Sequence, residues 1–264
     1  VRLCVQEQHL PGATLEEKWA AATAWGYDGI ELRARGDGAF AARLPDLRRA
    51  AARGVVMPTV CPETDHFVGD FDAARREDAV VQLRAQLDVI AELGGTGVTT
   101  PASWGMFSTR LPPFVPPRTE AEDTAVLIDT LGRVAAHAAG LGVCVYLEPL
   151  NRYEDHMVNR LEQGAALVGA VGSDALRLTA DTFHMNIEEA DPPGALRAAA
   201  PYLGHVQASD SNRLEPGAGH LDFAALLGVL GEIGYAGDVA VESRLSGPAD
   251  RVLPRAAELL REAW

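Results

Sequence analysis

Four oxygen-bearing side chains close four short apolar runs in the second half of the chain. Glu148 ends VCVYLE, Asp181 ends LRLTAD, Gln207 ends HVQ and Glu242 ends DVAVE. Each run has the length and apolar bias of a buried strand and precedes a loop and a helical pattern. The four groups are therefore expected to meet at one end of a parallel barrel. A lone carboxylate there is costly to desolvate, and three together repel. A divalent cation among them removes both penalties. A set of oxygen ligands that includes one amide suits a hard or borderline ion. Mn²⁺ is the expected cofactor, with Mg²⁺ or Co²⁺ as alternatives and Zn²⁺ less suited.

Such a cation, bound to two adjacent sugar oxygens, acidifies the carbon-bound proton beside a carbonyl. A carboxylate can then remove that proton and leave a planar enediolate. Glu148 and Glu242, on opposite sides of the mouth, could flank that plane as the catalytic pair. Action on opposite faces gives epimerisation, whereas one carboxylate shuttling a proton between neighbouring carbons gives aldose–ketose isomerisation. His184 lies three residues after Asp181, Arg213 six after Gln207, and Glu154 six after Glu148. His184 and Arg213 could bind hydroxyl or carbonyl oxygens of a substrate, and Glu154 could orient a hydroxyl.

Each residue also has a plainer explanation. Asp181, before Thr182, could cap a short helix, and Gln207 could be a satisfied core amide. The joint placement on four successive strands is what calls for a cation. His205 shares the strand face of Gln207 but sits deeper, so it reads as a hydrogen-bonded core histidine. His137, in an alanine-rich helix, reads as structural, and His9, His66, His156 and His220 carry no assignment. In the first half, Glu31, Glu63, Asp65, His66 and Trp104 are candidate mouth residues.

The elements that must position these groups alternate from end to end. LCVQ precedes a helix over 14–25, with Gly26 as its C-cap, and GIEL precedes a helix over 39–53. VVMPTV leads to a helix over 72–93, GVTTP to one over 119–139 ended by Gly140, and VCVYLE to one over 160–171. After LRLTAD, Asp191-Pro192-Pro193 opens a helix ending near Ala200. HVQAS leads to a helix over 222–233, and DVAVE to one over 248–263. Eight such units predict an α/β fold, a (β/α)₈ TIM barrel forming a single domain over 1–264. An open doubly wound sheet is the alternative, but no glycine-rich dinucleotide turn follows the first strand. Two connections are long. SWGMFSTRLPPFVPPR (103–118) could be a semi-rigid lid, an oligomer contact or a proline-stiffened surface loop. SDSNRLEPGAGH (209–220) carries Arg213 toward the mouth.

Composition narrows the function classes. Among 264 residues the net charge is −14, which argues against a nucleic-acid partner. Lys18 is the only lysine and lies in an amphipathic helical stretch, where a solvated position is expected. Schiff-base chemistry thus has no nucleophile at a strand end. Cys4, Cys61 and Cys144 are too few for a disulfide framework, and Cys4 and Cys144 read as small buried hydrophobes. With no leader pattern and no apolar run near 18 residues, a soluble cytoplasmic protein without a membrane partner is expected. Backbone amides over 243–247 could bind a phosphate.

EPLNRYE (148–154), DTFHMNIEE (181–189), GHVQASDSNR (204–213) and VAVES (239–243) resemble the xylose isomerase-like barrel superfamily, and within it the ketose 3-epimerases. The motifs span the second half, and the eight-unit pattern extends the fold over the whole chain. The resemblance implies that Glu148 and Glu242 are both metal ligands and the acid–base pair, and that Asp181 is a further ligand. It also implies substrate contacts for His184, Arg213 and Glu154, a small sugar or hydroxy-keto substrate, and a homodimer or homotetramer. One position departs, since the epimerases carry a metal-binding histidine where this chain has Gln207. Hydroxypyruvate isomerase-like members carry a glutamine there, and a carboxamide oxygen can replace imidazole as a ligand. Three other functions remain open: a lyase or dehydratase acting on a cyclitol or oxidised sugar, a non-catalytic sugar-binding barrel, and an endonuclease IV-like phosphodiesterase. The last predicts early-strand histidine ligands and a basic groove, neither evident in the sequence.

Overall fold

Runs that bury both faces belong in a parallel sheet covered by helices, and here they close into one barrel. The computed structural model describes residues 1–107 and 115–264. The strands are β1 (Arg2–Gln6), β2 (Gly29–Arg35), β3 (Thr59–Glu63), β4 (Gly97–Pro101), β5 (Cys144–Glu148), β6 (Leu176–Asp181), β7 (Leu203–Ala208) and β8 (Asp238–Val241). They pair in chain order, and β8 returns to β1 with Arg2 opposite Asp238.

The helices are α1 (Leu15–Ala24), α2 (Ala39–Ala42), α3 (Leu44–Ala52), α4 (Ala73–Glu92), α5 (Glu120–Leu141), α6 (Leu161–Val171), α7 (Thr182–Glu188), α8 (Pro192–Ala199), α9 (Phe223–Glu232) and α10 (Ala249–Glu262). Thr14 with Glu17 and Thr119 with Glu122 form capping boxes at α1 and α5, each satisfying backbone donors at a helix start. No described helix is long and apolar enough to cross a membrane.

Several boundaries differ from the sequence expectation, each for a local reason. The helix expected over 39–53 is two helices broken at Arg43, because Pro45 sits in the first turn of α3 and cannot continue α2. α5 runs through Gly140 and stops at Gly142, whose φ of 73° supplies the left-handed cap. β3 begins at Thr59 rather than at Val55. β2 extends past Leu32 to Arg35, which changes the reading of Glu31. The possible lid at 103–118 falls partly on 108–114, outside the described residues. Of its flanks, Arg118 binds the backbone oxygens of Gly69 and Asp70 and lies 2.7 Å from Asp123.

Alternation along each strand sorts side chains between the barrel interior and the helical layer. On β5, Val145 and Leu147 are buried in the apolar core, while Tyr146 stacks on His205 of β7 at 5.5 Å. Tyr146 and Glu148 therefore face inward, as do Glu31 and Arg33 on β2 and His205 and Gln207 on β7. An irregularity at Leu178/Thr179 shifts the β6–β7 register, so that Asp181 pairs with Gln207. A one-residue slip reverses which side chains face the interior, so this irregularity helps build the site.

Candidate active site

A cavity of about 790 Å³ opens at the C-terminal end of the strands, where barrel active sites are built. Glu148, Glu154, His184, Arg213 and Glu242 all line it. Asp181 and Gln207 are buried beside them on adjacent paired strands. Glu242 falls one residue beyond β8, where its backbone N–H donates to Ala208 O at 3.1 Å and continues the ladder toward β7.

The carboxyl groups crowd. Ligand atoms of Glu148, Asp181 and His184 lie within 4.8 Å of one another. Two unit charges about 4 Å apart repel by about 4 kcal/mol at an effective dielectric near 20. Burial, and then the negative charges of Glu242 and Asp181, push Glu148 well above the usual carboxylate range. Burial also raises Glu242, against the opposing pull of Arg213. Asp181 is held low: burial opposes ionisation, but Arg213 and the N–H groups it caps outweigh that penalty.

Asp181 performs two functions. Its Oδ1 accepts from Phe183 N at 2.8 Å and His184 N at 3.3 Å, capping α7. Its Oδ2 accepts from Arg213 Nη1 at 2.6 Å. The plain helix-cap explanation thus holds for one oxygen and leaves the other facing the site. Arg213 Nη2 is 3.6 Å from Glu242 Oε1, and the guanidinium stacks over Phe183 at 5.0 Å. Its backbone sits at φ 61°, a region unusual for a residue with a side chain. Hydrogen bonds from Arg213 N to Asp210 O and from Arg244 N to Arg213 O fix it there.

His184 is buried, and burial chiefly lowers its pKa. Its Nδ1 accepts the backbone N–H of Asn151 at 3.0 Å, which puts the proton of the neutral ring on Nε2. That Nε2 lies 3.6 Å from Glu148 Oε1. Asn151 Nδ2 also donates to Glu154 Oε1 at 2.8 Å, and Trp104 Nε1 donates to Glu154 Oε2 at 3.0 Å. Glu154 is therefore tied to β4's outgoing loop as well as to its own.

Gln207 Oε1 and Glu242 Oε2 are buried without a protein partner. A buried polar oxygen without a donor is uncommon and calls for a ligand or water. Two of them beside Asp181 and Glu148 form a donor set that fits a hard divalent cation.

Some expectations change. Glu31 is fully buried and bonded to Gln6, Thr59, His205 and Gln207, below the mouth. The sequence reading ended β2 at Leu32, which made Glu31 a rim residue. With β2 reaching Arg35, the rim position two residues on belongs to Arg33. Arg33 lies 2.8 Å from Cys61 Sγ, 2.8 Å from Glu63 and 4.0 Å from Glu242. Arg33, Cys61 and Asn151 were missed, although Asn151 stands three residues after Glu148 in EPLNRYE and so offered a signal. Glu63, Asp65, His66 and Trp104 do line the cavity, with His66 Nδ1 held 2.7 Å from Asp78. His205 is buried in the interior as expected. Lys18 is not simply solvated but lies 3.0 Å from Glu7. Cys144 is only partly buried. In the proposed phosphate loop, Arg244 N already donates to Arg213 O and Ser246 N to Glu215.

A family model described as "Xylose isomerase-like TIM barrel" matches residues 19–263. The 3-dehydro-D-guloside 4-epimerase of Escherichia coli is 36% identical over 247 residues, covering 93% of both chains. The L-ribulose 3-epimerase of Mesorhizobium japonicum is 35% identical over 228 residues, covering 86% of this chain and 73% of its own. The crystal structure of 3-keto-D-glucoside 4-epimerase from E. coli, in its apo form, superposes with a TM-score of 0.92 at 34% identity over 99% of both chains.

Proposed function

The chain belongs to the xylose isomerase-like TIM barrel family and is an isomerase-type enzyme, and from that premise we propose that it is a divalent-metal-dependent sugar epimerase inverting a carbinol carbon beside a ketone. The observation that carries this reading is the pairing of Glu148 and Glu242 on one cavity with two buried oxygens, Gln207 Oε1 and Glu242 Oε2, that lack protein partners. Glu148, Asp181, Gln207 and Glu242 would hold the ion, with Mn²⁺ the expected species. When bound, it polarises the ketone and the neighbouring hydroxyl oxygen and so acidifies the carbon-bound proton between them.

The remaining work falls to the side chains. One of the two glutamates takes the proton from the carbon beside the ketone, leaving a cis-enediolate. The other returns a proton to the opposite face of the same carbon. The C–H bond that breaks and the one that forms are at one atom, so the step needs no oxidant. His184, with its proton on Nε2, donates to a substrate oxygen. Arg213 binds a second oxygen, and Glu154 orients a hydroxyl near the rim.

The alignment with the E. coli 3-dehydro-D-guloside 4-epimerase runs nearly the full length of both chains. We therefore place the substrate among 3-keto sugars and their glycosides ahead of free ketoses. The test is incubation with Mn²⁺ in D₂O with 3-keto glycosides, free ketoses and hydroxypyruvate, followed by NMR. Deuterium at the carbon beside the ketone together with a new diastereomer supports the reading. Deuterium with aldose formation indicates an isomerase, loss of a β-substituent a lyase, and no deuterium in any compound rejects proton-transfer chemistry.

A further inference from the structure

Beneath the cavity, the barrel interior holds a carboxylate that the proposed chemistry does not use. Glu31 is fully buried on β2, among side chains from β1, β3 and β7 that are equally buried. Its Oε1 accepts from Gln6 Nε2 at 3.0 Å and from Gln207 Nε2 at 3.2 Å. Its Oε2 accepts from Thr59 Oγ1 at 2.8 Å and lies 2.8 Å from His205 Nε2. Donors from Gln6, Gln207 and Thr59 converge on its two oxygens, so both are held as acceptors.

An ionised carboxylate only accepts hydrogen bonds, whereas a carboxamide has one donating and one accepting end. Glu31 thus fixes which end of Gln207 points down. With the amide nitrogen held against Glu31, Oε1 is left on the opposite side, buried and without a protein partner. Were the amide reversed, two oxygens would face each other below, and an NH₂ group, which cannot ligate a cation, would enter the site.

We propose that Glu31 is a positioning residue for metal binding: it sets the sense of the Gln207 amide, so that the carboxamide oxygen is presented to the divalent cation. The inference rests on the reading of Gln207 as a ligand, and it explains how an amide serves where a histidine would need no such choice between oxygen and nitrogen. Groups that orient metal ligands from behind typically change affinity about 10–100-fold when removed.

The test is a double-mutant cycle in Mn²⁺ affinity, measured by calorimetry on metal-free protein, with the melting temperature of each variant recorded alongside. Glu31→Gln replaces the acceptor with an amide whose NH₂ can draw Gln207 Oε1 downward. It is expected to weaken Mn²⁺ binding by about 10–100-fold. In the Gln207→Ala background the same change is expected to alter affinity less than about twofold, since an alanine has no amide to orient. Equal losses in both backgrounds would overturn the proposal, because Glu31 would then be acting through something other than Gln207. So would wild-type affinity in Glu31→Gln while Gln207→Ala binds weakly, an outcome that leaves the ligand reading intact. Unchanged affinity in Gln207→Ala would overturn the ligand reading and the proposal together. If Glu31→Gln does not fold, Glu31→Asp draws the carboxylate back from Gln207, and its smaller loss must likewise vanish in the Gln207→Ala background.

Discussion

Arg213 Nη1 lies 2.6 Å from Asp181 Oδ2, the one oxygen of that carboxylate not spent on capping α7. The guanidinium also reaches toward Glu242 Oε1 at 3.6 Å. An arginine thus supplies positive charge beside two proposed metal ligands. On the proposed reading a cation would compete with the arginine for the same oxygens, and its binding would free Arg213 to turn toward substrate. Arg213→Ala is expected to bind Mn²⁺ at least as tightly as the wild type, while KM for the substrate rises about tenfold or more, the loss of one charged hydrogen bond. Calorimetry and steady-state kinetics check both. Weaker Mn²⁺ binding would mean that the arginine holds the ligands in place.

Glu148 ends β5 and Glu242 directly follows β8, with β6 and β7 between them, so a bound sugar can lie between the two carboxyl groups. Replacing either with glutamine keeps the shape and removes the proposed proton carrier. Each variant is expected to lose inversion by about 10²–10⁴-fold with its circular dichroism unchanged. Residual deuterium exchange in each should be confined to one epimer, a different one for each variant. Exchange of both epimers by either variant would assign both proton transfers to one glutamate, as aldose–ketose isomerisation requires.

Glu7, whose Oε2 accepts from Arg33 N at 3.3 Å, ties the turn after β1 to α1 and to Arg43 beyond α2, through Lys18 Nζ at 3.0 Å and Arg43 Nη2 at 2.7 Å. Burial opposes its ionisation, but Arg43 and then Lys18 prevail, and its pKa falls below the ordinary 4.5. A carboxylate with a depressed folded-state pKa contributes stability above its unfolded pKa and loses it as pH falls through the folded value. Glu7→Gln should therefore destabilise the protein by about 1.5–3 kcal/mol at pH 7, the range for hydrogen bonds to charged groups. The difference should shrink below the unfolded pKa, near 4.5, and be gone at still lower pH. Chemical denaturation at several pH values measures it. A constant difference across that window would show that Glu7 acts by packing alone.

The barrel was legible because a parallel sheet repeats one pattern eight times, and errors of up to four residues at a boundary, as at the start of β3, leave the topology unchanged. The candidate site was legible where a polar group interrupts an apolar run, as at Glu148, Asp181, Gln207 and Glu242. It failed where depth within the barrel mattered. Ending β2 at Leu32 put Glu31 at the rim and hid Arg33, since strand length decides how far up the barrel a side chain stands. The pairing of Asp181 with Gln207 depends on the irregularity at Leu178/Thr179, which no residue type announces. Asn151 was missed because it organises His184 partly through its backbone N–H, which is invisible in residue type.

His184 allows the ligand set itself to be tested. Its nitrogen lies close enough to Glu148 and Asp181 for the three to hold an ion. Yet Nδ1 already accepts from Asn151, so the neutral ring carries its proton on Nε2 and has no lone pair to offer there. On that argument the proposed reading stands, in which His184 would donate to substrate and Gln207 and Glu242 would complete the metal site. Glutamine at 184 can place an amide N–H near the Nε2 position, whereas asparagine reaches only as far as Nδ1. His184→Gln is therefore expected to keep wild-type Mn²⁺ affinity and to lose less turnover than His184→Asn, whose Mn²⁺ affinity should also be unchanged. If both variants bind Mn²⁺ at least about tenfold more weakly, the ring is a ligand, as removing one metal contact would predict. The Asn151 hydrogen bond to Nδ1 must then yield its place when the ion binds.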